Sequence, residues 1–223
     1  MTTRRIAVLN PNTNEATTRL MAGIVRAQVP SDVSIEAATM LLGPPIVTTE
    51  AALAAAAAQI VTVGQSLAFN GVDGLLISGF GDPGLKDLRR SVGIPVTGIA
   101  EAGMAEAGRN GRRFSIITTT PDLEASLHRL VAEYGYAEQL VSLRITEGPA
   151  AEIMAAPDRL ADALSFLARR CADDGADAVL IGGGPLAAVA ARVSMALSMP
   201  VVDPVAAGAR LTLARLSQRF AAE

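Results

Sequence analysis

Two glycine-rich loops in this 223-residue sequence contain residues that could bind a substrate. The first, ISGFGDPG, runs from Ile77 to Gly84, and the second, IGGGP, runs from Ile181 to Pro185. Glycine lets the backbone approach a ligand closely, and successive free amides can bind an oxyanion. A simple turn between a strand and a helix is the alternative for either loop. The loops give these candidate substrate-binding residues: Gly79, Phe80, Gly81, Gly183 and Gly184.

Other stretches add polar side chains to this set. The run LNPNTN favours a turn and a helix cap, and its central asparagine could add a donor to an anion site at the helix N-terminus. The run IITTTP has more hydroxyls than one cap needs, which favours contact with a carboxylate or an imide. A threonine in PPIVT could shape a side-chain pocket. The further candidate substrate-binding residues are Asn12, Thr48, Thr118 and Thr119.

Four carboxylates are candidate bases for proton transfer: Glu50, Asp82, Glu101 and Asp203. A carboxyl group that becomes buried can have its pKa raised enough to act near neutral pH. Glu101 and Asp203 follow matching x-Pro-Val strands, where a carboxylate in the first turn can also simply stabilise the helix. The sequence leaves both alternatives open.

Composition excludes several kinds of site. The single cysteine, Cys171, and the single histidine, His128, leave no thiol- or imidazole-based metal motif. The net charge of -3 and the lack of a basic stripe argue against nucleic acid as a partner. No run resembles a signal peptide or an uninterrupted membrane span. We expect a cytoplasmic homo-oligomer with a small-molecule substrate, with Cys171 in the core and His128 on a helix surface or a lobe interface.

Short β-rich runs alternate with longer helical stretches along the chain. Four strands in each half, with helices between them, are typical of parallel α/β units. The predicted strands are Arg4–Asn10, Val33–Thr39, Val72–Ser78, Ile94–Ile99, Arg113–Thr119, Leu140–Thr146, Asp177–Gly183 and Met199–Pro204. The predicted helices include Glu15–Val29, Glu50–Phe69, Pro121–Tyr134 and Asp158–Asp174.

The two halves of the sequence repeat each other. DGLLISGFGDPGL resembles DAVLIGGGPLAAV, and each is followed by an x-Pro-Val strand. We therefore predict an α/β fold of two pseudo-symmetric lobes, each with a mainly four-stranded parallel sheet flanked by helices. The active-site cleft would lie between the lobes. Lobe 1 would comprise residues 1–98 and 205–223, and lobe 2 would comprise residues 99–204.

Together these motifs resemble those of a known family. LNPNTN, GFGDPGL, GIAEA, TTTP and MPVVD occur in an order and spacing similar to the hydantoin racemase branch of the aspartate/glutamate racemase superfamily. The resemblance implies a cofactor-independent reaction at the carbon next to a carbonyl of a small carboxylate or cyclic imide. It also implies two facing cysteines, of which one removes the α-proton and the other delivers a proton to the opposite face.

Both cysteine positions are glycines in this chain. The resemblance puts Gly79 at the first position and Gly183 at the second, and Cys171 is too far along its helix to replace either. Glycine would leave room for a water, a bulkier substrate or a carboxylate. Two classes of function follow. One is an isomerase or a lyase of the decarboxylase type that works without thiols, and the other is a non-catalytic protein that binds a small anion or imide on a racemase scaffold.

Overall fold

The computed structural model describes residues 4–222 as alternating strands and helices. The strands are β1 (Arg4–Asn10), β2 (Val33–Thr39), β3 (Gly74–Ile77), β4 (Val96–Gly98), β5 (Phe114–Thr118), β6 (Leu140–Ile145), β7 (Ala178–Ile181) and β8 (Val201–Val202). The helices are α1 (Glu15–Gln28), α2 (Glu50–Phe69), α3 (Leu85–Ser91), α4 (Ile99–Ala107), α5 (Glu124–Glu133), α6 (Ala150–Met154), α7 (Pro157–Asp173), α8 (Ala190–Met195) and α9 (Pro204–Ala222).

The chain divides into two compact units, each with its own sheet. Unit 1 contains the chain up to Val47, Ala51–Ala102 and the chain from Val205, and unit 2 contains Thr48–Glu50 and Gly103–Pro204. The strand order is β2-β1-β3-β4 in unit 1 and β6-β5-β7-β8 in unit 2, and neighbouring strands are parallel. The predicted α/β class, with two four-stranded parallel sheets flanked by helices, is confirmed.

An aspartate directly before β3 and another directly before β7 make the same two hydrogen bonds. In unit 1 the side chain of Asp73 accepts a hydrogen bond from the Arg5 amide at 2.7 Å, and the Asp73 amide donates to the Arg5 carbonyl at 2.8 Å. In unit 2 Asp177 makes the equivalent bonds with Arg113, at 2.9 and 2.7 Å. The repeat in the sequence therefore has a structural counterpart, and positions can be matched between the units.

Local sequence explains where several elements begin and end. Helix α1 begins after Asn14, whose side-chain oxygen accepts hydrogen bonds from the amides of Ala16 and Thr17. Helix α7 has a proline in its first turn, where the missing N–H would have no partner in any case. Strands β3 and β7 end at Ile77 and Ile181, earlier than predicted, because the glycine loops leave the sheets there.

The core of unit 2 forms where α7 packs on the sheet. Leu164 and Cys171 of this helix are fully buried in one cluster with Ile117 of β5 and Ile181 of β7. The prediction that Cys171 packs in the core is confirmed. Burial raises the pKa of the Cys171 thiol, so the thiolate is disfavoured.

Helix α2 is apolar although much of its surface is accessible. Among residues 4–222 it is the one helix long and apolar enough to cross a membrane, and 17% of the 18-residue window concerned is buried. A single helix of this kind is weak evidence for a span, since helices of globular cores pass the same test. Gly64 lies on its buried side, where a Cβ atom would come within 2.5 Å of Leu88 Cδ2.

Candidate functional site

Asparagine side chains form a hydrogen-bond network at the carboxyl end of β1. The buried Nδ2 of Asn10 donates to Asn12 Oδ1 at 2.8 Å and to Thr18 Oγ1 at 2.8 Å. Asn12 Oδ1 also accepts from the Asn14 amide at 2.9 Å, so this side chain shapes the turn before α1. Within the described chain Asn12 Nδ2 donates to no protein atom, which leaves this candidate binding residue one donor for a ligand.

The first glycine loop has backbone requirements of its own. Gly81 has a φ of +127°, a value that L side chains rarely adopt, and a Cβ there would lie 3.0 Å from Leu53 Cδ2. Phe80 is 8% exposed, so its ring packs against the protein. These features explain the loop as a tight turn, in which the Asp82 amide donates to the Gly79 carbonyl at 3.0 Å.

Asp82 connects this loop to the start of α4. It is 6% exposed, and its two carboxylate oxygens accept hydrogen bonds from the amides of Ala100 and Glu101, at 2.9 and 2.8 Å. The carboxylate lies over Gly98, where a Cβ atom would collide with it. A carboxylate that satisfies free amides at a helix N-terminus stabilises the helix. The geometry therefore gives Asp82 a structural role.

Glu101 lies between two arginines. Its carboxylate accepts from Arg215 at 2.9 and 3.0 Å and from Arg89 at 2.9 Å. Burial by itself would raise the pKa of Glu101, but the hydrogen bonds and charges of Arg215, and then of Arg89, lower that pKa below its usual value. The net shift of the Glu101 pKa is therefore downward, opposite to the shift expected for a base that acts near neutral pH.

Two further candidates lie in the short segment that groups with unit 2. Glu50 is exposed at the start of α2 and forms an ion pair with Arg129 at 2.8 Å. Thr48 is partly buried two residues earlier. Glu50 is therefore a solvent-accessible carboxylate with a cationic partner.

In unit 2 the hydroxyl of Thr118 holds the second glycine loop. Thr118 Oγ1 donates to the Gly182 carbonyl at 2.8 Å and lies 3.2 Å from Thr120 Oγ1. The Gly182 amide donates to the Ile117 carbonyl at 2.7 Å, which extends the ladder between β5 and β7. This candidate binding residue is fully buried, and its donor is already used inside the protein.

Thr119 and Thr146 differ from Thr118 in one respect. They are 1% and 7% exposed, and neither Oγ1 atom has a hydrogen-bond partner in the described chain. A buried hydroxyl without a partner is unfavourable and needs an explanation, such as a ligand or an ordered water. The sequence predicted Thr119 as a binding residue but gave no indication for Thr146.

The carboxyl ends of β7 and β8 complete this edge of unit 2. Gly183 and Gly184 follow β7, and Asp203 follows β8 one register step beyond the pair Leu180–Val202. Asp203 is partly buried and interacts with other residues of the chain. The strand order therefore sets threonines, glycines and a carboxylate along one edge of one sheet.

A family model described as Asp/Glu/Hydantoin racemase matches residues 6–212. The chain belongs to this racemase family. The match includes both glycine loops, the threonines after β5 and the carboxylate after β8.

Individual relatives agree with this assignment. Hydantoin racemase from Pseudomonas sp. (strain NS671) is 30% identical over 210 residues, which cover 92% of this chain and 83% of the relative. The structure of allantoin racemase from Klebsiella pneumoniae is 31% identical, has a TM-score of 0.90, and covers 97% of this chain and 89% of that one. A liganded arylmalonate decarboxylase variant, 18% identical with a TM-score of 0.67 and coverages of 96% and 93%, shares the fold.

The glycines at the two expected cysteine positions of this racemase homologue are closely packed. A Cβ atom at Gly79 would lie 2.5 Å from Pro11 Cγ, and one at Gly183 would lie 2.9 Å from Leu186 Cγ. Neither glycine has a positive φ, so the neighbours and not the backbone oppose a side chain. Pro11 and Leu186 therefore crowd the Cβ positions, and the expectation that glycine leaves room for a water, a bulkier substrate or a carboxylate stays a prediction.

The remaining titratable groups do not supply the expected thiols of the family. Cys171 is fully buried in the core of unit 2. His128 is exposed on α5. Among residues 4–222 no three His, Cys, Asp or Glu side chains are grouped so that they could hold a metal ion.

Proposed function

We propose that this racemase homologue binds a small hydantoin-like cyclic imide or carboxylate and transfers a proton at the carbon next to a carbonyl, without a thiol and without a cofactor. The observation that carries the proposal is the pair of buried, unpartnered hydroxyls of Thr119 and Thr146 on the sheet edge that also bears Asp203. Polar groups of this kind at the carboxyl ends of parallel strands favour a ligand site.

Asp203 is the base in this proposal. The C–H bond next to the carbonyl breaks, the proton passes to the Asp203 carboxylate, and the electron pair moves onto the carbonyl oxygen as an enolate. The Thr119 hydroxyl and the amides of the Gly183–Gly184 loop stabilise that oxygen by hydrogen bonds. The proton returns to carbon from Asp203, or a water on the opposite face delivers a proton and the hydroxide left behind is neutralised by the proton that Asp203 releases to solvent. The second route inverts the centre.

The size of the edge suits a small ring. Asp203 and Thr119 are two strands apart and about two residues apart in height, so their Cα atoms are separated by roughly 12 Å for ordinary strand spacing and rise. Side chains stand roughly perpendicular to a sheet, so a small ring could lie over the edge between these two residues. Hydantoin and allantoin racemases at 30% and 31% identity support this ligand class. Lyase chemistry, homo-oligomer formation and a cytoplasmic location remain predictions.

A non-catalytic binding protein is the second candidate, and a specific observation favours it. Three of the four candidate bases already serve the fold or carry cationic partners: Asp82 caps α4, Glu101 binds Arg89 and Arg215, and Glu50 binds Arg129. The fourth, Asp203, also interacts with other residues of the chain. If Asp203 is not the base, the scaffold retains a binding edge without a catalyst.

Exchange of the C5 proton of an enantiopure 5-substituted hydantoin in D₂O tests the proposal. Proton NMR should show saturable, protein-dependent loss of the C5 signal. Asp203→Asn should slow it by about 10²–10⁴-fold, the usual contribution of a positioned base, while Cys171→Ser should leave it unchanged. Binding of the hydantoin without exchange would favour the non-catalytic candidate, and loss of exchange in folded Cys171→Ser would contradict a thiol-free mechanism.

A further inference from the structure

Thr146 is a buried polar residue that none of the family motifs in this sequence includes. It follows β6, is 7% exposed, and its Oγ1 has no partner within residues 4–222. Its backbone is well placed, because the Thr146 amide donates to the Thr118 carbonyl at 3.0 Å and so extends the ladder of β5 and β6 by one step. The backbone is thus satisfied while the side chain is not.

Thr119 and Thr146 directly follow the last pair of β5 and β6, Thr118 and Ile145. Continuing the register by one step would set them side by side on one face, at the usual strand spacing of about 4.8 Å. Side chains alternate between faces, and Ile117, two residues before Thr119, faces the core beneath α7. On β6, Arg144 binds Asp174 at the end of α7 and shares this face with Thr146.

The matching positions of unit 1 show that packing alone does not require hydroxyls here. The Met40 amide donates to the Asn10 carbonyl at 3.2 Å, as that of Thr146 does to Thr118, so Met40 matches Thr146. The residue after Asn10 is Pro11, which matches Thr119. Both unit 1 residues are buried and apolar. Two apolar residues in one unit and two unsatisfied hydroxyls in the other indicate that these two positions of unit 2 have a polar task that their unit 1 counterparts lack.

We propose that Thr146 is a substrate-binding residue that acts with Thr119 as a two-hydroxyl pair on one edge of a hydantoin-type ring. This inference rests on the proposed function and names the part of the site that selects the ligand. A hydroxyl can donate and accept, so neighbouring hydroxyls match the alternating C=O and N–H groups of a cyclic imide. A simple carboxylate offers acceptors alone and engages the pair less fully.

Calorimetry and thermal unfolding of single variants test this inference on the intact chain. Thr146→Val should weaken binding of a 5-substituted hydantoin about three- to tenfold, as loss of one hydrogen bond predicts, and Thr146→Ser should restore it. Malonate serves as the carboxylate for comparison, and its affinity should fall less than that of the hydantoin in Thr146→Val. In the ligand-free protein, Thr146→Val should not lower the unfolding temperature, because no protein hydrogen bond is lost.

Thr212→Val is the matched control. Thr212 is buried like Thr146, but its hydroxyl donates to the Gly208 carbonyl at 2.8 Å within α9. This variant should unfold at a lower temperature and bind the hydantoin normally.

Three results would overturn the inference. Unchanged hydantoin affinity in Thr146→Val is the first, and a fall in ligand-free unfolding temperature as large as that of Thr212→Val is the second. The third is failure of the native protein to bind the hydantoin. Normal binding that depends on Thr146, without C5 proton exchange, would instead support this inference and contradict only the proposed catalysis.

Discussion

The two sheets have the same strand topology, but their carboxyl edges differ in whether buried polar side chains have hydrogen-bond partners. In unit 1, Asn10, Asn12, Thr18 and Asp82 hydrogen-bond to protein groups, and the positions of Pro11 and Met40 are apolar. In unit 2, Thr118 is satisfied by the Gly182 carbonyl, but the matched Thr119 and Thr146 have no partner in the described chain. At these two matched positions unit 1 is therefore apolar, while unit 2 has two hydroxyls available.

This difference distinguishes residues that stabilise the fold from residues that are expected to contact a ligand. A polar group that is satisfied in the free protein stabilises the fold when it is present. One that is unsatisfied makes the free protein less stable and is retained for another purpose. Removing a satisfied polar group should therefore lower the free energy of unfolding. Removing an unsatisfied hydroxyl should leave it unchanged or raise it.

The largest effect is expected at Asp82. Asp82→Ala removes the acceptor of the Ala100 and Glu101 amides and leaves buried donors without a partner, so the free energy of unfolding should fall by about 2–4 kcal/mol. Urea unfolding monitored by circular dichroism measures this. Asp87→Ala is the control, because Asp87 pairs with Arg90 at an exposed site and should change stability by less than about 0.5 kcal/mol. A small loss at Asp82 would mean that its cap is not important for the fold.

Restoring a side chain at Gly79 should have the next largest effect. Gly79→Cys forces Cβ against the Pro11 ring and should destabilise the protein by about 1–3 kcal/mol, as overpacking does. Pro11→Ala in the same chain should recover most of that loss. An equal loss with and without Pro11→Ala would show that some other contact opposes the side chain.

A smaller effect distinguishes adjacent threonines of unit 2. Thr118→Val removes the hydrogen bond to the Gly182 carbonyl and should lower the free energy of unfolding by about 1–2 kcal/mol. Thr119→Val removes a hydroxyl without a partner and should leave the ligand-free stability unchanged or raise it. Chemical denaturation of both variants provides the comparison, and equal losses would contradict the distinction between satisfied and unsatisfied hydroxyls.

The pH dependence of stability gives the finest test in unit 1. The pKa of Glu101 is lower in the folded protein than its ordinary value, so its contribution is complete above the unfolded pKa and is lost as pH falls through the folded pKa. Glu101→Gln should therefore be less stable than the native protein at neutral pH and should lose less stability on acidification. Parallel acid-unfolding curves for the two proteins would show that Arg89 and Arg215 do not depress this pKa.

Much of the fold could be predicted because repeated local patterns specify it. The predicted bounds of β1, β2 and α2 coincide with those in the structure, and the paired glycine loops indicated the two parallel sheets. The roles of the carboxylates could not be predicted, because they depend on tertiary partners. Asp82 reaches amides 18 and 19 residues away, and Glu101 is held by Arg215, 114 residues away.

Thr146 was missed for a related reason. A single threonine at the end of a strand has no distinctive sequence pattern, and its missing partner is visible only when the neighbouring strand is in place. The available signal was the internal repeat, which aligns Thr146 with Met40 once the sheet registers are known.

A crystal structure of the native protein with a 5-substituted hydantoin bound would show directly whether the two threonines bind the ring. We expect hydrogen bonds of about 2.7–3.0 Å between the ring and Thr119 Oγ1 and Thr146 Oγ1, with the Asp203 carboxylate next to the C5 carbon. A ring bound elsewhere, or one at this edge that leaves both hydroxyls without contact, would contradict it.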